Sequence, residues 1–256
     1  MIEEWRLLDT GFHDAFYNMA LDEAIAVARS KKLVPNTLRF FRWKPSAVSI
    51  GYFQGMDEEV DTAACDDKGI DYVRRRTGGG AVYHDRDGEL TYSMFINQKH
   101  RLVSKDFQET YGTLCSGLVS GLRFLGIQAE FKPINDIVVG GKKVSGNAQT
   151  RGVNVVHQHG TVLLEVDPSL MFAVLKVPNE KIRDKLIKSV EERVTSLHGL
   201  LKRDVSFDEL KEALVKGFEA SFKIRLAQGA LTEFEEQKAA ELKTEKYAKR
   251  GWNFKR

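Results

Sequence analysis

The sequence has little cysteine and no run of one kind. Cys65 and Cys115 are the only cysteines, and they lie far apart. Two distant thiols make neither a disulfide framework nor a zinc-ligand pattern. No stretch of about 18 apolar residues occurs, so no transmembrane helix is expected. Charge of one sign is not in excess: 39 basic residues face 36 acidic ones, a net charge of +3. That balance argues against a dedicated nucleic-acid binder. No internal repeat and no low-complexity tract is visible, which excludes a solenoid. The start, Met1-Ile2-Glu3-Glu4-Trp5, is acidic and lacks an apolar segment, so no secretory leader is expected. What remains is a chain of globular composition, 42% hydrophobic and 29% charged. At 256 residues it is long enough to bury roughly three-quarters of its unfolded surface. The expectation is a cytoplasmic protein of enzyme size.

Phe16, Met19, Ala20, Ala24, Ile25 and Val27 recur at helical spacing and predict a helix over 14–30, closed by Pro35. Aromatic and β-branched residues predict strands over 37–43 and 47–52. A short acidic helix is expected over 57–68, and a strand where Leu90, Tyr92, Met94 and Ile96 alternate with Thr91, Ser93 and Phe95. A long helix over 105–125 stops at Gly126. Residues 137–139 and 142–148, joined by Gly140-Gly141, read as a hairpin, because two adjacent glycines adopt the positive φ angles of a tight turn. Another strand is expected over 153–166. Helices follow over 168–175, 179–188, 206–222 and 232–248. This order predicts an α+β fold, a mixed β-sheet flanked by helices, as one domain over 1–256 with a helical part from about 168. The weakest point is near 200–205, but the helices beyond it are too few to hold a core alone.

Three stretches carry chemistry. The first is Arg74-Arg75-Arg76-Thr77-Gly78-Gly79-Gly80-Ala81-Val82-Tyr83-His84-Asp85. Three glycines let a ligand approach the backbone, and their amides can form an anion nest. The arginines supply fixed positive charge for phosphate. It is neither a Walker A loop nor a Rossmann fingerprint, since the required lysine and glycine spacings are absent. The second stretch is NDIVVGGKKVSGNAQ, residues 135–149. Asp136 is a candidate Mg²⁺ carboxylate. Lys143, before Ser145 and Gly146, is placed to meet a phosphate or a polarised carbonyl. The third is His157-Gln158-His159-Gly160-Thr161. The two histidines share a strand face, which raises a metal site, but no third ligand lies nearby in sequence. Gly160 allows a close backbone approach.

Together, RRRTGGGAVYHD, NDIVVGGKKVSGNAQ and HGTVLLEVD resemble the lipoate–protein ligase A family. Further matches are 38–41 with Ile50-Gly51-Tyr52, the stretch 175–197, and Trp252-Asn253. The resemblance spans nearly the whole chain in order. It implies the biotin/lipoate protein ligase catalytic fold, distantly like class II synthetases. It also implies ATP-dependent ligation: lipoate or octanoate is activated to an adenylate and transferred to a lysine of a lipoyl domain. The acceptors would be the E2 subunits of 2-oxoacid dehydrogenases or the glycine cleavage H protein. ATP and Mg²⁺ would take part, with no tightly bound cofactor. By the same resemblance Lys143 is catalytic. Arg75, Gly79, Gly80, Ala81, Val82, Tyr83, Asn135 and Asp136 would hold the nucleotide and, through Asp136, Mg²⁺. His84, Ser145, Gly146, His159, Gly160 and Thr161 would form the site wall. The region 166–185 resembles a covering loop and is expected to act as a mobile lid. The short chain resembles archaeal members whose accessory domain is a separate protein, so an accessory subunit is an expected partner, and neither nucleic acid nor membrane is.

Other readings share the fold. Octanoyltransferases move the acyl group from acyl carrier protein to the lipoyl domain through an activated cysteine. Neither Cys65 nor Cys115 lies in the three stretches, so both read as structural. Biotin ligation is disfavoured because the glycine loop lacks the Gly-Arg-Gly-Arg pattern. A non-catalytic protein that binds the adenylate or docks lipoyl domains is opposed by the presence of Lys143 and Arg75.

Overall fold

A computed structural model describes residues 2–152, 154–177 and 179–255. Met1, Val153, Pro178 and Arg256, which the sequence reading includes, lie outside the described residues. In chain order the elements are β1 (Glu3–His13), α1 (Ala15–Ser30), β2 (Thr37–Trp43), β3 (Ala47–Ile50), α2 (Met56–Glu59), α3 (Thr62–Lys68), β4 (Asp71–Arg74), β5 (Val82–His84) and β6 (Glu89–Asn97). Then come α4 (Phe107–Phe124), β7 (Glu130–Lys132), β8 (Asp136–Val139), β9 (Lys142–Gly152) and β10 (Val155–Leu163). The remainder is α5 (Pro168–Val174), α6 (Glu180–Arg193), α7 (Leu197–Leu201), α8 (Phe207–Phe222), β11 (Ile224–Gln228), α9 (Glu233–Leu242) and α10 (Arg250–Asn253). No helix among the described residues is long and apolar enough to cross a membrane.

Eight strands form one mixed sheet in the order β11-β1-β2-β6-β10-β9-β8-β7, parallel around β1 and antiparallel elsewhere. A second sheet, β4-β3-β5, has three strands. The alternation expected at 90–96 sorts β6 to two faces. Leu90, Tyr92, Met94 and Ile96 meet α4 and α8 in the main core, while Phe95 meets α1 on the other side. β6 is therefore buried on both faces, as a central strand must be. Leu210, Leu214, Phe218 and Phe222 of α8 belong to the same core as the sheet, so the helical part shares its hydrophobic interior.

Several boundaries differ from expectation. The acidic segment 57–68 is two helices, because Val60 between them bridges to Leu175. The segment 232–248 ends as an α-helix at Leu242 and widens into a π-type turn over Lys243–Tyr247. β1, β4, β5, β7 and β11 have no counterpart among the strands expected from the sequence.

α4 and α8 cross at glycines. A Cβ on Gly217 would lie 2.2 Å from the Gly121 nitrogen, and one on Gly121 would lie 2.8 Å from the Leu214 Cα. Backbone cannot yield as a side-chain tip can, so these positions set the helix separation.

α1 is fixed to the other face by buried charge. Its Asp22 pairs with Arg39 of β2 at 2.6 Å and accepts from Ser93 of β6 at 2.7 Å. Arg39 also donates to Asn18 and Thr10 and stacks on Phe41. Burial alone would raise the Asp22 carboxyl, but Arg39 keeps it well below the usual range. His157 and His159 of β10 border the same carboxylate at 3.2 and 3.8 Å. Neither ring nitrogen of His157 has a hydrogen-bond partner; the contact with Asp22 is close but misaligned.

Two outcomes follow from this packing. Gly217→Ala should destabilise the protein by about 1–3 kcal/mol, the usual range for overpacking, measured by urea denaturation. An unchanged midpoint would show that the helices can separate freely. The second outcome concerns His159. Burial, the largest influence, lowers its imidazole from 6.5 to about 4. The unfolded chain therefore binds this proton more readily, and stability should fall as pH drops from about 6.5 towards 4. At about pH 5 the loss should reach roughly 2 kcal/mol. Denaturation at about pH 7.5 and pH 5 should show this loss in the wild type and a smaller one in His159→Gln. An equal loss in both would assign the acid sensitivity elsewhere.

Candidate active site

Between the two sheets lies a cavity of about 360 Å³, within the range of small-molecule sites. Met19 and Trp43 bound it on one side, and Arg75, His84, Lys143 and His159 supply its polar groups.

The three stretches converge here. Of the expected residues, Arg75, Gly79, Gly80, Ala81, Val82, Tyr83, His84, Asn135, Lys143, Gly146, His159, Gly160 and Thr161 line the cavity. Asp136 and Ser145 do not. Ser145 is fully buried, and its hydroxyl oxygen has no partner. Asp136 pairs with Lys143 at 2.7 Å. One of its oxygens is thus held by an ammonium group, and Asp136 belongs to no cluster of three or more metal-ligating side chains among the described residues.

The arginines also differ from expectation. Arg74 is buried, and its guanidinium donates to the carbonyls of Gly51, Tyr52, Trp252, Asn253 and Lys255. The Trp252 indole N–H donates to the Arg74 carbonyl, and the Arg74 N–H donates to Asn253 Oδ1. The end of the described chain is thus fastened beside the glycine loop. Arg76 leans towards Glu23 at 3.9 Å. Arg75 alone faces the cavity, and it holds the loop rather than standing free for phosphate. Nε donates to Thr77, Nη1 to the Ser49 carbonyl and hydroxyl, and Nη2 to the carbonyls of Gly78 and Gly80. Burial without a carboxylate partner lowers the guanidinium to about 10, which still leaves it charged at neutral pH.

Close approach explains two glycines. A Cβ on Gly51 would lie 2.0 Å from the Gly79 carbonyl oxygen, and one on Gly160 would lie 2.3 Å from the Asn147 side-chain oxygen. Asn147 donates to the Asn135 carbonyl at 2.8 Å and accepts from the Tyr92 hydroxyl at 2.6 Å. This fixes the hairpin that presents Lys143.

Two polar groups of the cavity were missed in the sequence. Ser49 of β3 hydrogen-bonds His84 Nε2 at 2.8 Å, and His84 Nδ1 meets Glu89 at 2.6 Å. Trp43 stacks on His84 with centroids 4.2 Å apart. Glu89 had one faint signal, as an acid opening the alternating strand. Ser49 had none. Asp22 is the third group that the two histidines of β10 lacked in sequence. Its charge is already balanced by Arg39, so a divalent ion there would sit against a buried guanidinium.

Of the region 166–185 expected as a lid, Val166, Asp167 and Met171 line the cavity, and so do Val190 and Val194 beyond it. Backbone hydrogen bonds tie the chain down before and after α6. The Asp61 N–H donates to the Val174 carbonyl and the Lys176 N–H to the Glu59 carbonyl; the Thr195 N–H donates to the Lys143 carbonyl at 2.8 Å.

Neither cysteine lines the cavity. Both are buried, and burial raises each thiol to about 12.

Residues 14–219 match the model of the lipoyl protein ligase A/B catalytic domain. The chain is 40% identical to the octanoyltransferase LipM of Kyrpidia tusciae, covering 100% of both chains. It is 37% identical to that of Geobacillus kaustophilus, covering 99% of both. These alignments run over 277 positions, so the relatives carry segments that this chain lacks. Among solved structures, the bi-partite lipoate protein ligase of Thermoplasma acidophilum, described with its E2 lipoyl domain, superposes with a TM-score of 0.88 at 36% identity. It covers 98% of this chain and 96% of that one. A lipoate-protein ligase A bound with ATP superposes with a TM-score of 0.84 at 34% identity, covering 98% of both. The full-length octanoyltransferase relatives overturn the expectation that this chain is an ATP-dependent ligase. The mixed sheet, the flanking helices and the match over most of the length place the chain in the family of the lipoyl protein ligase A/B catalytic domain.

Proposed function

We propose that this protein transfers an octanoyl group from a carrier thioester to a lysine side chain of a lipoyl acceptor domain. The observation that carries this reading is its full-length similarity, at 33–40% identity, to octanoyltransferases LipM. The cavity suits the substrate. Met19 and Trp43 offer apolar surface to an acyl chain, while Arg75 and Lys143 bring positive charge to the same space. An acyl carbonyl turned towards these cations gains electrophilic character, and the oxyanion formed on attack is stabilised. Lys143 is held towards Asp136 rather than buried, so its ammonium is free to swing to a carbonyl. The acceptor is supported by the structural relative described with an E2 lipoyl domain.

The deciding experiment is the intact mass of a lipoyl acceptor domain after incubation with this protein and octanoyl–acyl carrier protein, without ATP. Addition of one octanoyl group is expected. Addition only from free octanoate with ATP and Mg²⁺ would overturn the reading. Lys143→Ala should slow transfer roughly 10²–10³-fold, the scale for losing one charge-stabilising donor, with little change in melting temperature. Transfer at the wild-type rate would remove Lys143 from the reaction.

A further inference from the structure

Resting on the octanoyl-transfer reading, we infer that Lys142 is a positioning residue: by capping the end of α6 it fixes the strand that aims Lys143 into the cavity. Lys143 lines the cavity and Lys142 does not. Neighbouring side chains of a strand point to opposite faces, so Lys142 is turned outward, where it is exposed. Its Nζ donates there to the Glu191 carbonyl at 2.9 Å.

This bond replaces one that the helix has given up. In an α-helix each carbonyl accepts from the N–H four residues further on. α6 keeps that pattern into its last turn, where the Val194 N–H donates to the Val190 carbonyl. The next pair would join the Thr195 N–H to the Glu191 carbonyl. Thr195 instead donates to the Lys143 carbonyl at 2.8 Å, and Val194 bridges in parallel to Lys143. Lys142 fills the place that Thr195 leaves. Its charge suits the position. A helix C-terminus carries partial negative charge. Glu191 and Glu192 outweigh Arg193 in the same turn, so a cation brought from outside the helix is favoured.

The exchange joins two walls of the cavity. Val190 and Val194 reach it from the end of α6, and Lys143 and Gly146 reach it from β9. The Lys143 side chain passes over Gly146, where a Cβ would lie 2.7 Å from Nζ, to Asp136 at 2.7 Å. From there its reach towards an acyl carbonyl depends on where its backbone stands. The rungs to Val194 and Thr195 set that position, and the Lys142 cap holds the helix end that carries them. A misplacement of about 1 Å at a reacting centre can cost roughly 10²-fold in rate.

The test compares wild type, Lys142→Ala, Lys142→Arg, Lys143→Ala and the Lys142→Ala/Lys143→Ala double variant. Transfer from octanoyl–acyl carrier protein to a lipoyl acceptor domain is followed by intact mass. Lys142→Ala should lower kcat roughly 10- to 10²-fold, with KM for the octanoyl carrier within about twofold of wild type. Lys142→Arg keeps a cation that can reach the same carbonyl and should restore most of the rate. In the Lys143→Ala background, Lys142→Ala should cost nothing further, because a residue that acts through Lys143 has nothing left to position. An unchanged rate, a change in KM alone, a loss that arginine does not restore, or a loss that multiplies with that of Lys143→Ala would overturn the assignment. Hydrogen exchange reads the fastening without activity. Residues 188–196 should exchange faster in Lys142→Ala than in wild type or Lys142→Arg, and equal exchange in all three would overturn the cap. If the wild type transfers no octanoyl group while Lys142→Ala exchanges faster, the transfer reading falls and the fastening of Lys143 to α6 stands.

Discussion

The buried ion pair between Arg39 and Asp22 anchors a line of polar contacts on which the cavity depends. From Asp22 the line runs past His159 to Thr77, from Thr77 to Arg75, and from Arg75 to Ser49, His84 and Glu89. Each member is buried, so each must find its partners within the protein. Burying two charges is costly, and a pair of this kind adds little net stability over apolar residues. Removing one partner alone leaves the other stranded, at a cost of about 3–5 kcal/mol. The arrangement therefore trades stability for fixed geometry. α1 cannot shift against the sheet without moving the glycine loop.

Arg75 joins structure and chemistry in one side chain. All its donors hold Ser49, Thr77 and the glycine loop, yet none of these partners carries a negative charge. Its positive charge is left to act on whatever enters the cavity, and low-dielectric walls carry that field further than water would. Lys143 differs: it is half-exposed and already faces a carboxylate, so its charge is partly screened until substrate draws it away.

The sequence showed those parts of the fold that follow a simple period. α1, β2 and β6 emerged close to their true bounds because their burial matches helical or alternating spacing. β1 did not, because a register shift between Asp9 and Phe12 breaks the two-residue alternation. α2 and α3 merged in the reading because the break at Val60 comes from pairing with a distant segment. In the site, the stretches rich in glycine, lysine and histidine were legible as residue types with chemical use. Whether an arginine faces ligand or backbone was not, since Arg74 and Arg75 are adjacent in β-structure and at its end yet face different partners. Ser49 is one hydroxyl in an apolar strand, and only the folded chain brings His84 to it.

The covering segment, tied down by backbone hydrogen bonds at Val174 and Lys176 on one side and at Thr195 on the other, behaves as a strap rather than a door hinged on one edge. On the proposed octanoyl transfer, carrier and acceptor would stay outside this strap and reach the cavity through a slender arm: an acyl chain on its thioester tether, or a lysine stem.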